Sequence, residues 1–169
     1  MEHARALVLF LHIAAGVLWI GGLTYVRFVL LPTLATQQPG VRGPVVAELG
    51  PSTVRYLLRM GEVTIVLGVA AVLTMGRMTE PGQWLSTAWG LSILAGLVGT
   101  VAIYGIGQAV TKRATLQIAA TVRAVLAGTP PEGAQALLEQ LAARQRKAMN
   151  VQLAIAAIVV LTMAVARFS

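Results

Sequence analysis

Residues 7–32 read LVLFLHIAAGVLWIGGLTYVRFVLLP, and the run is apolar from Leu7 to Leu23 apart from one histidine, His12. About 20 such residues are enough to cross the hydrocarbon core of a bilayer. An ionisable group in hydrocarbon is costly and is normally kept because it has a partner or a task. For a neutral imidazole the commonest task is binding a metal, most often haem iron. On a helix His12, Gly16, Trp19, Leu23 and Val26 fall along one stripe. Gly16 leaves space one turn from the imidazole, where a flat macrocycle would need it, and Trp19 offers an aromatic wall. Gly21 and Gly22 allow a second helix to approach closely. The alternative is that His12 hydrogen-bonds a neighbouring helix and Trp19 is ordinary packing.

Further along the chain, three more stretches have the length and apolarity of a span. The four lie at roughly residues 6–31, 56–75, 84–109 and 149–167. Together they predict an all-α, integral membrane four-helix bundle forming one domain. The first run is too long, and too poor in n-region charge, for a cleaved signal peptide, so it is expected to remain as a span. The Gly- and Pro-rich segment 37–51 reads as a linker, and Pro81-Gly82 as a tight turn. Residues 111–147 carry apolar Leu116, Ile118, Val122, Leu137, Leu138 and Leu141 at helical spacing. They predict a helical hairpin extending the third and fourth spans, broken at Gly128 and restarted with Thr129 as N-cap and Pro130 in the first turn.

The chain has 169 residues, of which 57% are hydrophobic and only 11% charged, a balance outside the range of soluble domains. It has no cysteine, which excludes disulfides, thiolate metal sites and c-type haem attachment. The net charge of +7 is not a nucleic-acid signature, because few aromatics accompany it. The charges collect instead in the first and third loops and the adjoining helix ends, leaving only Arg5, Arg77 and Arg167 on the other side. The positive-inside rule then predicts a multi-pass protein of the cell membrane, with the first and third loops cytoplasmic and both termini external.

Two histidines cannot form a bis-histidine site if His3, on the opposite side of the helix near the terminus, is solvated. A sixth iron ligand could come from Met163, Met75, water or His12 of a second copy in a homodimer. Arg77 and Arg167 lie at the external ends, where guanidinium could meet haem propionates. In the second span Arg59 and Glu62 are three apart and face each other across one turn. They suit a structural ion pair, with Arg27 as a further cation, or alternatively a proton relay or quinone contact.

His12, Trp19, Gly22 and Tyr25 resemble the first-helix pattern His-x6-Trp-x2-Gly-x2-Tyr of the HemJ-type protoporphyrinogen oxidases. A related His and Trp-x-Gly frame occurs in the CopD-like copper-resistance membrane proteins. Arg27, Trp84-Leu85 and Asn150 resemble further positions of the HemJ pattern. The resemblance implies a four-helix membrane bundle whose first-helix histidine binds haem b, making His12, Gly16, Trp19, Arg77 and Arg167 the candidate cofactor residues and His12 and Met163 the candidate metal ligands. The HemJ third helix carries a histidine and a lysine where this chain has Ser86 and Ala88, which removes the expectation of protoporphyrinogen oxidase activity. The expected function is electron transfer or haem handling in the lipid bilayer, with a redox partner or quinone and no nucleic acid. The alternatives are copper handling, since thioethers suit Cu(I), and a structural subunit of a larger membrane complex.

Overall fold

The computed structural model describes residues 2–75 and 82–168, and of Arg167 and Phe168 only the backbone. Among the described residues there are four long helices, α1 (Glu2–Ala35), α2 (Pro39–Thr74), α3 (Ala88–Leu126) and α4 (Ala134–Phe168). A short 3₁₀ turn, Gln83–Ser86, leads into α3. All four are long and apolar enough to cross a membrane, as an all-α membrane bundle requires, since helices satisfy their own backbone groups in lipid. The helices have 33 or more residues, so each spans about 50 Å at ~1.5 Å per residue, well beyond a ~30 Å hydrocarbon core. The α1–α2 and α3–α4 connections share one end, called here the hairpin end. The opposite end holds the start of α1, the end of α2, the start of α3 and the end of α4; Pro81 of the expected Pro81-Gly82 turn lies outside the described residues.

Two helix pairs build the bundle. α1 packs chiefly along α2, and the first half of α3 along α4, while the second half of α3, from Lys112 onward, packs against both α2 and α4. Glycines set the α1–α2 seam. A Cβ added at Gly61 would lie 2.8 Å from the Trp19 ring, and one at Gly68 would lie 2.8 Å from His12 Cε1. Gly22 faces Leu57 in the same manner, and Gly16 faces Thr64. His12 and Trp19, seven apart on α1, thus enter notches seven apart on α2, in antiparallel register. The α3–α4 seam repeats the device, with Met163 against Gly96 and Val159 against Gly99. The central core joins Trp19, Leu23, Val26, Leu57, Ile103, Met149, Ala156 and Val159.

The segment 37–51, which reads as a linker, is helical: α2 starts at Pro39 and contains Pro44 and Pro51. Pro39 occupies the first turn, where a missing N–H costs nothing. Pro51 cannot donate to the carbonyl four residues back, that of Ala47. Arg123 of α3 supplies the missing donor, its Nη2 bonding Ala47 O at 2.7 Å while the same side chain pairs with Glu48 at 3.3 Å. At the other connection, α3 ends with Gly128 at φ +75° and the Thr129 N–H on Ala124 O at 2.9 Å, a Schellman-type stop. α4 begins at Ala134, after Gly133 at φ +67°, and Thr129 is not its cap.

Two helices widen into π-turns, Val26–Leu30 in α1 and Gly107–Thr111 in α3. The first lies just before Pro32, which has no N–H for the Phe28 carbonyl and whose ring crowds that turn. The second lies beside a buried polar layer. Gln152, 2% exposed, donates from Nε2 to Ile103 O at 2.9 Å and accepts at Oε1 from Thr111 Oγ1 at 3.0 Å.

Candidate functional site

His12 is half-buried on α1, against α2. Its Nδ1 lies 2.9 Å from the main-chain carbonyl of Thr64. A carbonyl only accepts, so Nδ1 carries the proton, and in the neutral ring Nε2 keeps the lone pair. Nε2 has no partner among the described residues and is not sealed from the outside of the bundle. The ring lies over Gly68, where any side chain would displace it. The bond and the notch together fix both the tautomer and the orientation of the ring. Histidines that ligate metals are held in the same way, with the second nitrogen on a carbonyl or carboxylate.

The residues read along with His12 are placed as follows. Trp19 is 3% exposed and wedged against Gly61, so its ring fills the helix seam. The space left by Gly16 opens onto Thr64 Cγ2, 3.7 Å from where a Cβ would sit, an ordinary packing contact. Met163 belongs to the α3–α4 seam, its methyl in the notch at Gly96. Met75 caps α2 through its N–H on Val72 O at 3.2 Å. His3 is exposed in the first turn of α1. Arg77 lies outside the described residues, as does the side chain of Arg167. Ser86 closes the 3₁₀ turn and Ala88 is the first residue of α3.

A second polar constellation lies nearer the hairpin end. Glu62 accepts from Arg59 Nη1 at 2.8 Å and from the Tyr104 hydroxyl, across on α3, at 2.8 Å. Tyr104 in turn accepts from Gln108 Nε2 at 2.7 Å, and Gln108 from Lys112 Nζ at 3.3 Å. Every donor in this chain points toward the carboxylate. Arg59 is therefore the cation that Glu62 uses, whereas Arg27 bonds from Nε to Asn150 Oδ1 on α4 at 2.7 Å. An amide such as that of Gln108 passes protons poorly, so the arrangement suits a clamp between α2 and α3 better than a continuous proton wire. Its i, i+3 half was legible in the sequence; its Tyr104 half, from another helix, was not.

Among the described residues, no three His, Cys, Asp or Glu side chains come together as a metal site would require. A bare ion at His12 would have at most two such ligands among the described residues. A metal that brings its own equatorial donors needs only one or two from the protein, and haem iron is of that kind. At His12, Nε2 is the atom that could serve as such a donor. Two cavities among the described residues lie elsewhere, toward the hairpin end, and neither is lined by His12. Comparison with known family models, with curated proteins and with solved structures finds no match.

Proposed function

We propose that this chain is an integral membrane haem b protein in which His12 is the axial ligand through Nε2, serving electron transfer or haem handling. The observation that carries the reading is the 2.9 Å bond from Nδ1 to the Thr64 carbonyl, which leaves one nitrogen of an intramembrane imidazole available and oriented. When bound, the haem would supply one-electron chemistry. The residues of this chain hold the imidazole, with Gly68 making its room and Thr64 its acceptor. Membership of the HemJ-type and CopD-like group is part of the proposal. The bond between Arg27 and Asn150 supports it, since it joins two of the positions that resemble the HemJ pattern. The side that holds ten of the thirteen Lys and Arg residues is taken as cytoplasmic, placing His12 toward the external face. The redox partner would then be met on that side.

The test is the absorption spectrum, oxidised and reduced, of detergent-solubilised protein from haem-sufficient cells, beside that of His12→Ala. A Soret band with b-type reduced peaks, absent from a folded variant, is the expected outcome. A colourless, folded wild type would refute the haem reading. If copper is retained instead, the copper alternative replaces it.

A further inference from the structure

The groove between α2 and α3 toward the hairpin end carries basic side chains that the Glu62 clamp leaves largely unspent. Arg55, Arg59 and Glu62 share one face of α2 over two turns. Across the groove, Tyr104, Gln108 and Lys112 are joined in sequence by hydrogen bonds of 2.7 and 3.3 Å. Two ordinary turns hold about seven residues. The π-turn Gly107–Thr111 takes up an eighth, so Lys112 stays in line with Tyr104. Arg59 pairs with Glu62, yet its side chain is 73% exposed and has further N–H groups to give. Arg55 and Lys112 are exposed and have no carboxylate partner among the described residues. Three cations against one carboxylate leave the groove with an excess of two positive charges.

The helix register gives these cations a depth. Gly22 faces Leu57, Gly107 faces Leu58, and Gln145 bonds Thr115, which fixes how the four helices line up. Arg27, Arg55, Lys112 and Lys147, one from each helix, then fall at about one level, with exposed Tyr25 and Tyr56 beside them. A ring of cations and tyrosines is the composition of a membrane–water interface. Arg5, 22 residues before Arg27 on α1, lies about 33 Å away along the axis, close to the ~30 Å of a hydrocarbon core. Beyond Glu62 the groove turns apolar. Val66 and Val69 of α2 and Val101 of α3 are exposed there, and α2 packs only lightly on the first half of α3.

We propose that this groove binds one anionic phospholipid, its phosphate held by Arg55, Lys112 and the free N–H groups of Arg59, and one acyl chain lying between Val66 and Val69 on one side and Val101 on the other. Charge selects the headgroup. Guanidinium and ammonium groups form charge-assisted hydrogen bonds to phosphate oxygens, and basic residues at the interface attract anionic lipid. Depth selects a lipid over phosphate from solution, because the charged part of the groove lies at the interface and runs directly into an apolar part at hydrocarbon depth. The proposal stands apart from the haem reading, since His12 takes no part in it.

The test is native mass spectrometry of the full chain in detergent, titrated with phosphatidylglycerol or with phosphatidylcholine of the same acyl chains. The first phosphatidylglycerol should bind more tightly than the first phosphatidylcholine and than later phosphatidylglycerols, and inorganic phosphate should not displace it. Arg55→Gln and Lys112→Gln should each weaken that first step about fivefold, the worth of one basic side chain at an anionic surface, and leave phosphatidylcholine binding unchanged. Arg146→Gln and Lys147→Gln, at exposed cations of α4, should leave the first step as it is. On the wild type itself, a diazirine-bearing phosphatidylglycerol should label Val66, Val69 or Val101 ahead of Ile158, which is exposed at a similar depth on α4. A wild type that takes both lipids equally, or is labelled equally at Ile158, overturns the proposal without recourse to a variant. Equal losses in the α4 variants overturn the groove site in favour of a diffuse basic belt, and displacement by inorganic phosphate overturns the lipid as its occupant.

Discussion

Replacing Gly68 by alanine tests the seam and the histidine together. The new Cβ would lie 2.8 Å from His12 Cε1 and 3.1 Å from Nδ1, both inside normal carbon contact distances of ~3.5–4.0 Å. The ring would have to retreat by roughly 0.7 Å to restore such a contact. Added to a bond of 2.9 Å, a retreat of that size takes Nδ1 beyond hydrogen-bonding range of Thr64 O. The lost bond is worth about 1 kcal/mol, and overpacking a fitted seam adds about 1–3 kcal/mol. The expected destabilisation is therefore about 2–4 kcal/mol. Gly16→Ala is the control on the same seam: its Cβ would make a 3.7 Å contact with Thr64, so it should be near neutral. Stability can be followed by denaturant titration in detergent micelles. Long-range ¹H–¹⁵N spectra of the imidazole report the tautomer, which should be protonated at Nδ1 in the wild type and in Gly16→Ala. If Gly68→Ala is as stable as the wild type and keeps the Nδ1-protonated ring, the argument for a notch-held imidazole fails.

Other expectations concern the hairpin end and topology. Arg123→Ala should cost about 1–2 kcal/mol by leaving the Ala47 carbonyl without a donor, and much less in a Pro51→Ala background, where a restored backbone N–H can reach that carbonyl; equal losses in both backgrounds would refute this accounting. Gln152→Leu should cost about 1–3 kcal/mol, since it removes two hydrogen bonds and leaves the buried Thr111 hydroxyl without its acceptor, while Ile103 O keeps the Gly107 N–H, a loss that thermal unfolding in detergent would measure. Because the chain has no cysteine, single cysteines introduced at Glu2 and at Thr129 should react with an impermeant maleimide only from outside and only from inside, respectively. The reverse pattern would invert the orientation.

The sequence made one face of each helix legible, and little about which residues would meet across a seam. The stripe from His12 to Val26 follows from helical periodicity alone, and in the structure it faces α2. The glycines that receive it, Gly61 and Gly68, lie on another helix, and only the antiparallel register, which a single-chain pattern does not encode, reveals their role. Segment 37–51 was misread because glycine and proline are ordinarily breakers. It is helical because Pro39 sits in a first turn and Arg123, more than 70 residues on, satisfies the carbonyl freed by Pro51. The restart at Thr129 was misplaced because Gly133, with its positive φ, sets the start of α4. The buried layer of Thr111, Thr115, Gln145 and Gln152 was overlooked, although its spacing carried a signal. Thr111 and Thr115 are one helical turn apart and Gln145 and Gln152 two, so each pair shares a face. Of the candidate site, the sequence singled out His12; its acceptor on the Thr64 backbone carries no side-chain signature at all.

The pairing of His12 with Gly68 and Trp19 with Gly61 has a mechanical consequence. Two bulky rings lodged in two notches at the same interval act like the teeth of a ratchet. Sliding α1 along α2 would lift both rings out at once, so the helix can hold its place or lose it altogether but cannot drift. The depth of the imidazole in the bilayer is thereby set partly by a tryptophan about 10 Å away along the axis. Crowding at Gly61 would then unseat His12 as well as Trp19, although the histidine's own acceptor and notch are untouched in sequence.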